Sequence, residues 1–271
     1  MSKVWFITGT SRGLGRQFAE AALGRGDRVA ATARDIGSLA DLSAKYGDAL
    51  LPLTLDVTDT EAVTAAVTAA HDRFGRLDVV VNNAGYGLFG MVEEITERQL
   101  RDQLETNLFG AFAVTKAVLP ILRAQGSGHI VQISTIGGIG AFPSLGGYHA
   151  SKWALEGLTE SLAQEVAGLG IKVTLVEPGG FATDWGGSSA VHAEPLSAYQ
   201  PIRDAMAARR GDASYGDPIA AGSALLTIVD AENPPLRVLF GSQPTELVKH
   251  IYAQRLQTWA GWEHVAHAAQ G

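Results

Sequence analysis

A tyrosine and a lysine four positions apart are candidates for proton transfer. Tyr148 and Lys152 would lie on the same face of a helix, which brings the ammonium close to the phenol. A free phenol has a pKa near 10, too high for efficient acid–base work near neutrality, but a neighbouring cation favours the phenolate and lowers the pKa. The spacing predicts a tyrosine acid or base, although an ordinary surface pair has the same spacing.

A glycine-rich turn near the N-terminus is a candidate site for a phosphate-bearing cofactor. Residues 8–15 read Thr-Gly-Thr-Ser-Arg-Gly-Leu-Gly; they follow a short apolar run and open a helical pattern. Glycines there let the backbone approach a pyrophosphate, which then sits on free N–H groups at the helix N-terminus. An ordinary tight turn is the alternative. The predicted contact residues are Gly9, Ser11, Arg12, Gly13, Leu14 and Gly15.

The same turn also matches a different catalytic motif. Residues 9–13 fit G-x-S-x-G, the nucleophile elbow of α/β-hydrolases, with Ser11 as the nucleophile. Asp184 and His250 would complete the order Ser, Asp, His. That elbow needs an oxyanion loop upstream, and only eight residues precede Gly9. A serine hydrolase is therefore the less favoured alternative.

The residues after the second apolar run bear on the kind of dinucleotide. NAD sites usually carry an acidic residue about 20 positions past the glycines, whereas an Arg accommodates the 2′-phosphate of NADP. Here Ala33 takes that place, followed by Arg34 and Asp35. Arg34 and Arg12 are predicted to converge on the phosphate, because a guanidinium can fork onto its oxygens. NADP(H) is expected and NAD less so; two solvated surface charges are the alternative.

Short apolar runs alternate with helical patterns, and these elements must position the candidate residues. The runs are brief, rich in Val, Ile and Leu and mostly not alternating, as expected for strands buried on both faces. The alternation predicts an α/β fold: a single domain over residues 1–271, with a Rossmann-type, doubly wound parallel sheet of about seven strands and helices on both faces. Residues 58–61, Thr-Asp-Thr-Glu, predict a capping box. Strands are predicted at residues 3–8, 28–33, 50–55, 77–81, 129–134, 172–176 and 236–240, and helices at 13–23, 59–74, 96–123, 147–167, 218–230 and 244–259.

The alternation of apolar runs and helical patterns ends after the sixth predicted strand. Residues 183–216 are rich in Gly, Ser, Ala, Asp and Pro, with a weak helical pattern near residues 199–210. A long irregular stretch in a compact domain is usually a lid, a binding loop or disordered. We predict that residues 183–216 form a substrate lid.

Composition limits the class of function. The chain has 28 Asp and Glu against 21 Lys and Arg, a formal charge of −7, which argues against nucleic acid because phosphate binding needs a basic face. It has no cysteine, and His264 and His267 lack further ligands, so no metal site is expected. No run approaches 18 uninterrupted apolar residues and none resembles a signal peptide. We therefore expect no membrane segment and a cytoplasmic location.

Five motifs occur in an order that resembles the classical short-chain dehydrogenase/reductase family. Each motif alone is only moderately specific, but five in order are highly specific. The resemblance covers about residues 3–183 together with the last helix and strand. The motifs are the glycine turn, Asn82-Asn83-Ala84-Gly85 after the fourth strand, Asn107 in a helix, Tyr148 with Lys152, and Pro178-Gly179 after the sixth strand.

The resemblance implies catalytic roles. Tyr148 would exchange a proton with the carbonyl or alcohol oxygen, Lys152 would lower its pKa and hold the nicotinamide ribose, and Asn107 would support a water-mediated proton relay to Lys152. Family members carry a hydroxyl residue, usually Ser, thirteen positions before the tyrosine to bind the substrate oxygen. Here that position is Thr135, with Ser134 as the alternative. Thr supplies the same hydroxyl but adds a methyl group and a stiffer χ1, so it narrows the pocket or slows turnover.

The resemblance also implies further cofactor contacts. Asp56 would meet the adenine, residues 83–85 the adenosine-side ribose, and Thr183 the carboxamide. A simple turn is the alternative for residues 82–85, and a buried amide bonded to the backbone is the alternative for Asn107. The implied cofactor-binding set adds Asp56, Val57, Asn83, Ala84, Gly85, Tyr148, Lys152, Pro178, Gly179, Phe181 and Thr183.

These features together predict an NADP(H)-dependent oxidoreductase that moves hydride between the nicotinamide and a secondary alcohol or a carbonyl, either ketone or aldehyde. The C-terminal segment resembles family members that act on lipophilic alcohols. A homodimer or homotetramer is expected from the resemblance. A non-catalytic NADP(H)-binding sensor is an alternative, but such proteins typically lose the Tyr or the Lys. The side chains predicted to shape the substrate site are Tyr86, Phe89, Phe142 and Leu145, and Trp185, Trp259 and Trp262 could line an apolar pocket.

Overall fold

Seven parallel strands form one sheet with helices on both faces. The computed structural model describes residues 2–210 and 215–271 of the chain. Its strands are β1 (Val4–Ile7), β2 (Arg28–Ala33), β3 (Leu50–Thr54), β4 (Val79–Asn82), β5 (Leu88–Phe89), β6 (Gly128–Ile133), β7 (Ile171–Pro178), β8 (Val191–His192) and β9 (Arg237–Phe240). Its helices are α1 (Gly13–Gly24), α2 (Ala40–Tyr46), α3 (Thr60–Phe74), α4 (Glu97–Leu104), α5 (Ala111–Gln125), α6 (Gly146–Val166), α7 (Gln200–Arg210), α8 (Pro218–Asp230), α9 (Ser242–Gly261) and α10 (Glu263–Ala268).

The order of the strands places a crevice at one edge of the sheet. The sheet runs β3-β2-β1-β4-β6-β7-β9, all parallel, and β5 pairs with β8 in a separate parallel ribbon. The chain moves outward from β1 to β3 and then returns to place β4 on the other side of β1. Ligands of doubly wound sheets bind in the crevice at such a reversal, outside the carboxyl ends of the strands. The predicted doubly wound sheet of seven strands is confirmed.

Alternate residues of β1 show how the sheet separates two cores. Val4 and Phe6 are fully buried on one face with side chains of α3, α5 and α6. Trp5 and Ile7 are fully buried on the other face with side chains of α1, α2 and α8. Successive side chains of a strand point to opposite faces, so a strand covered on both sides must be apolar throughout. That explains why the strands read as continuous apolar runs.

Helix α8 packs closely against α1, the helix that follows the glycine turn. A Cβ at Gly222 of α8 would lie 2.9 Å from the carbonyl oxygen of Gln17, so only glycine permits this approach. The C-terminal end of α8 is tied down by Asp230, which accepts from Arg25 at 2.7 Å and also pairs with Lys3. α8 therefore supports α1 from outside the sheet.

The predicted helix at residues 96–123 is one continuous helical stretch with a π-helical turn in it. Residues Glu105–Gly110 form that turn between α4 and α5. Among the described helices, Glu97–Gln125 is the one long and apolar enough to cross a membrane by length and composition. Its Val118 and Leu122 are fully buried in the core, as in a core helix. π-turns inside helices are frequent at functional sites, and this one carries Asn107.

The predicted capping box at residues 58–61 is wrong, because the N-cap is one residue later. Asp59 accepts a hydrogen bond from the backbone N–H of Ala62 at 3.0 Å. The hydroxyl of Thr58 instead donates to Asp56 at 2.8 Å.

The insert at residues 183–216 is held to the rest of the domain by hydrogen bonds. The buried carboxylate of Glu94 accepts from the backbone N–H of Leu196 at 2.8 Å and pairs with Arg203 of α7. The hydroxyl of Tyr199 donates to Glu93 at 2.6 Å. Strand β8, also in the insert, pairs with β5. Residues 211–214 lie outside the described residues.

A buried histidine makes the stability of the fold depend on pH. His129 in β6 is 4% exposed, and its Nε2 lies 2.9 Å from the hydroxyl of Thr174. Burial, with the charges of Lys172 and Lys3, lowers the pKa of His129 to about 4. The unfolded chain, with a pKa near 6.5, therefore binds a proton that the folded chain does not. Stability is full above about pH 6.5 and falls as the pH drops to about 4.

We expect this residue to account for a loss of about 3 kcal/mol of unfolding free energy between pH 6.5 and pH 4. Urea unfolding of the wild type and of His129→Gln across that range measures it, because the amide can still bond Thr174 but does not titrate. The variant should lose less stability on acidification. Equal pH slopes in the two proteins would contradict the assignment.

Candidate active site

The glycine turn after β1 leaves the start of α1 open. Gly9 and Gly13 have φ values of +69° and +61°, in the region that favours glycine, and a Cβ at Gly9 would lie 2.9 Å from the Cα of Ala84. Arg12 is the N-cap but makes no capping hydrogen bond with its side chain, and no acidic residue lies in the first turn of α1. The N-terminal N–H groups and the helix dipole are thus available to an anion. The turn fits a pyrophosphate.

The turn after β4 is bonded directly to the glycine turn. The Asn83 side-chain amide donates to the carbonyl oxygens of Thr8 and Gly9, both at 3.0 Å. The hydroxyl of Thr8 accepts from the backbone N–H groups of Asn83 and Ala84, also at 3.0 Å. Asn83 therefore supports the floor of the crevice with its side chain.

The two predicted phosphate-binding arginines have different surroundings. Arg34 is exposed at the end of β2 and lines the cavity, whereas the neighbouring Asp35 accepts from the N–H of Gly37 at 2.9 Å. Arg12 donates to Asp184 at 3.2 Å and to the hydroxyl of Ser188 at 2.8 Å. Arg12 thus links the glycine turn to the insert, a contact that the sequence did not predict.

The tyrosine, the lysine and Thr135 lie together at the end of β6. The side chain of Thr135 faces the hydroxyl of Tyr148, and its own hydroxyl donates to the carbonyl of Pro178 at 3.3 Å. The ammonium of Lys152 lies 6.0 Å from the centre of the Tyr148 ring and donates to the carbonyl of Ile133 at 2.7 Å. The predicted acid–base group and its neighbours are therefore assembled at one place.

Burial dominates the protonation of this group. It raises the pKa of the Tyr148 phenol well above its ordinary value, and the neighbouring Thr135 side chain offsets this only in part. Burial lowers the pKa of Lys152 to about 8, against the attraction of Glu156. The prediction that Lys152 and a bound nicotinamide lower the pKa of Tyr148 stays a prediction. The neutral phenol, a proton donor, is the stable form at neutral pH.

The hydroxyl of Ser134 already has a buried partner. Ser134 is 3% exposed and donates its hydroxyl hydrogen bond to Glu156 on α6. Thr135 lies on the other side of the chain and meets Tyr148, since successive residues of an extended segment point in opposite directions. The geometry favours Thr135 over the alternative.

Asn107 lies behind the site and is 1% exposed. Its amide nitrogen donates to the carbonyl of Tyr86 at 3.0 Å and to the hydroxyl of Ser151 at 3.2 Å, while its oxygen accepts from the N–H of Tyr86 at 3.1 Å. These contacts match the alternative of a buried amide bonded to the backbone. The proton relay to Lys152 stays a prediction.

Aromatic side chains from the insert cover the tyrosine. The ring of Trp185 lies 4.9 Å from that of Tyr148 and 5.2 Å from that of Phe89, which in turn stacks on His192 at 5.0 Å. A Cβ at Gly87 would lie 2.6 Å from the Trp185 ring, so glycine there gives the indole its space. These contacts place an apolar wall beside the ring of Tyr148.

One cavity of about 1270 Å³ joins the glycine turn, the tyrosine and the insert. Gly15 and Asn107 are absent from its walls: the first packs between the two turns and the second lies behind. Trp259 and Trp262 are mostly exposed, at 63% and 64%, and do not line it. The predicted residues that do line it are Gly9, Ser11, Arg12, Gly13, Leu14, Arg34, Asp56, Val57, Asn83, Ala84, Gly85, Tyr86, Phe89, Ser134, Thr135, Phe142, Leu145, Tyr148, Lys152, Pro178, Gly179, Phe181, Thr183 and Trp185.

The alternative hydrolase site is not assembled. Ser11 lines the main cavity, but His250 on α9 lines a second one together with Gly140, Leu247 and other residues. The carboxylate of Asp184 is bound by Arg12 and Ser188. The three residues therefore cannot act as a triad.

Comparison with known proteins agrees with this geometry. The family model described as short chain dehydrogenase matches residues 3–192. The chain belongs to this family. It is similar to an oxidoreductase of Botryotinia fuckeliana, BOA17, at 46% identity over 250 residues that cover 91% of each chain. Short-chain dehydrogenases act on CH–OH and carbonyl groups with NAD or NADP, and the chain is such an oxidoreductase.

Solved structures of short-chain dehydrogenases share the architecture. One from Streptomyces avermitilis is 41% identical, with a TM-score of 0.93 over 99% of this chain and 98% of its own. One from Burkholderia phymatum, in complex with NAD, has a TM-score of 0.80 at 25% identity over 92% of each chain. One from Burkholderia cenocepacia, in complex with NADP, has a TM-score of 0.77 at 26% identity over 96% of each chain. Both cofactors thus occur among structures of this fold.

Proposed function

We propose that the protein is an NADP(H)-dependent oxidoreductase that transfers hydride between the nicotinamide and a lipophilic secondary alcohol or its carbonyl, a ketone or aldehyde. The observation that carries this proposal is that Tyr148 and Thr135 lie together in the cavity that begins at the glycine turn. Lys152 lies beside the pair. Such an arrangement binds a carbonyl oxygen with two hydroxyls and supplies it with a proton.

The chain's own residues supply the proton and the orientation. The bound cofactor supplies the hydride. Thr135, anchored by the carbonyl of Pro178, would hold the substrate oxygen while Tyr148 donates its proton to it. The raised pKa of Tyr148 keeps the phenol protonated at neutral pH, which suits reduction of a carbonyl.

The surroundings of the tyrosine support a lipophilic substrate. Trp185, Phe89 and Phe142 line the cavity near Tyr148, and aromatic walls bind apolar surface while excluding water. The short turn Asp184–Gly186 brings Trp185 there from the insert. Residues 183–216 would act as a lid over the substrate.

The end of β2 supports NADP(H). Ala33 leaves no acidic side chain for the ribose hydroxyls, Asp35 bonds locally to Gly37, and Arg34 faces the cavity. Arg12 lies at the same mouth and could exchange Asp184 for a phosphate oxygen. Two neighbouring arginines can bind a phosphate group through charge-assisted hydrogen bonds.

Thermal unfolding with NADPH, with NADH and with neither tests the cofactor. Ligand at 100 times its dissociation constant stabilises the folded protein by about 2.7 kcal/mol, which raises the unfolding temperature by roughly 5 °C in a chain of this size. We expect this shift with NADPH at concentrations where NADH gives little. A shift with NADH alone would assign the ribose to Asp35 and reject the proposal.

The variant Arg34→Ala identifies the group that selects NADPH. Loss of one charge-assisted hydrogen bond costs about 1.5–3 kcal/mol, so the Kd for NADPH should rise by at least tenfold while that for NADH stays nearly constant. Arg73→Ala, which removes an equal charge from α3, is the control. Equal weakening by both variants would mean that only net charge matters.

The protein is further proposed to form a homodimer or homotetramer. Phe109, Phe112, Trp153 and Leu158 are 37–51% exposed on α5, α6 and the π-turn, and the π-turn packs against α6. Exposed apolar patches of this kind mark sites of protein association. Sedimentation velocity should give a mass at least twice that of one chain; a single-chain mass would reject this assembly.

A further inference from the structure

Two buried carboxylates and one guanidinium form a cluster behind Thr135 and Tyr148. Glu156 in α6 is 4% exposed and Glu177 in β7 is 1% exposed. Arg237 in β9 donates to Glu177 at 2.7 Å and pairs with Glu156 through the same nitrogen. Glu160, on the surface of α6, lies 3.2 Å from the other end of the guanidinium. Two buried acids thus share one cation, and none of the roles assigned above uses them.

Glu156 accepts more of the hydrogen bonds made to the buried pair than Glu177 does. Burial and the nearby carboxylate of Glu156 raise the pKa of Glu177 to about 7. Glu156 also accepts from the hydroxyl of Ser134 and from Arg237.

Glu156 acts on the reaction centre in two ways, through its charge and through a hydrogen bond. It follows Lys152 by one helical turn, and its charge favours the ammonium of Lys152. It also holds Ser134, which lies between Ile133, whose carbonyl accepts from Lys152, and Thr135, whose hydroxyl meets Tyr148.

Gly138 leaves room for the hydrogen bond between Ser134 and Glu156. A Cβ on this residue would lie 2.1 Å from a carboxylate oxygen of Glu156 and 2.7 Å from the Ser134 hydroxyl. The backbone that follows Thr135 therefore passes directly over the bond between Ser134 and Glu156. Only glycine permits this passage.

We propose that Glu156 is a positioning residue for the oxidoreductase reaction: its buried carboxylate holds residues 133–135 in place through Ser134 and keeps Lys152 charged. The proposal rests on the proposed function, because it gives Lys152 a part in the reaction. The charged and titratable groups that face Glu156 are Lys152 and Glu160 on α6, Glu177 on β7 and Arg237 on β9.

The first test needs no substrate. NMR titration of the cofactor-free protein labelled with ¹³C in lysine follows the ionisation of Lys152, with Lys152→Met used only to assign the signal. We expect Glu156→Gln to move the midpoint of Lys152 to lower pH by roughly one unit, because a buried negative charge beside it is lost. Glu177→Gln removes the other buried acid, which lies on β7 and not one helical turn from Lys152, and should leave the midpoint nearly unchanged. An unchanged midpoint in Glu156→Gln, or an equal shift in both variants, would overturn the proposal.

The second test uses turnover. Glu156→Gln should lower kcat by about tenfold and move the limb of the pH profile that belongs to Lys152 to lower pH, to the extent seen by NMR. Ser134→Ala should lower kcat but leave that limb in place, because it breaks the hydrogen bond and keeps the charge. If Glu156→Gln does not fold, Glu156→Asp replaces it and should retain the wild-type midpoint. Full activity in Ser134→Ala would overturn the positioning route.

The two tests separate this proposal from the proposed function. A wild-type protein that turns over no carbonyl or alcohol, yet shows the Lys152 shift in Glu156→Gln, would reject the reaction and keep the electrostatic coupling. A protein that turns over substrate without the shift would keep the reaction and reject the role of Glu156.

Discussion

Tyr148→Phe is expected to lower kcat for carbonyl reduction by about a thousandfold, within the 10²–10⁴ range of general acid catalysis. The substitution removes only the hydroxyl that meets Thr135. Thr135 keeps its bonds to the carbonyl of Pro178 and the N–H of Gly137, and the ring keeps its contact with Trp185. The fold and the glycine turn are untouched, so the Kd for NADPH should change by less than about twofold. Steady-state kinetics and fluorescence titration measure the two quantities.

Tyr252→Phe is the matched control for this result. Tyr252 is 43% exposed on α9, and loss of its hydroxyl should leave both constants at their wild-type values. Retained turnover in Tyr148→Phe would remove the tyrosine from the reaction. Loss of NADPH binding together with turnover would instead mean that the hydroxyl supports the cofactor site.

Gly15→Ala is expected to cost about 2–4 kcal/mol of unfolding free energy and to abolish nucleotide binding. The added Cβ would lie 2.3 Å from the carbonyl oxygen of Gly9 and 2.3 Å from the side-chain amide of Asn83. Neither atom moves cheaply, because the Asn83 amide holds the carbonyls of Thr8 and Gly9. Overpacking of this kind costs about 1–3 kcal/mol and occasionally more, and here it also displaces the turn that receives the pyrophosphate. Urea unfolding and calorimetric titration with NADPH measure both effects.

Gly24→Ala places the same methyl group at the other end of α1. Its nearest neighbour would be the hydroxyl of Tyr46 at 4.0 Å, so the change should be neutral, or stabilising by up to about 1 kcal/mol through helix propensity. If both variants lose the same free energy of unfolding, alanine destabilises α1 at either position. The contact with Asn83 is then not the cause.

The sheet was predictable because a strand that is covered on both faces needs apolar side chains at nearly every position. Residues 28–33 and 129–134 read as apolar runs, and both form central parts of the sheet at nearly those bounds. Helix α2 and the two-residue strands β5 and β8 were not predicted, because they are too short for a periodic signal and depend on contacts with distant residues.

Residue spacing in the sequence could not decide two features of the site: which of Ser134 and Thr135 meets Tyr148, and which residue binds Arg12. Ser134 and Thr135 are adjacent and chemically alike, and only the packing of α6 shows that Glu156 takes the hydroxyl of Ser134. Arg12 lines the cavity, but Asp184, which binds it, comes from the far insert. Hydrogen-bond partners so distant in sequence leave no local pattern.

The cluster around Arg237 shows the same limit for charged groups. Glu156, Glu177 and Arg237 lie on three elements, and each by itself reads as an ordinary charged residue. Their burial and shared hydrogen bonds exist only once β9 has joined the sheet beside β7. A sequence can therefore indicate the reacting groups while the groups that hold them remain unrecognised.

The packing of α8 on α1 affects how the protein folds while it is being synthesised. The glycine turn and α1 are synthesised well before the helix that braces them, in which Gly222 packs against Gln17. Until then the apolar side of α1, including Phe18 and Ala22, lacks the cover that α8 gives it in the finished core. Parallel sheets built from such distant contacts form slowly, and their unfinished chains expose surface that aggregates. A nascent chain should therefore acquire its nucleotide site only after α8 has been synthesised.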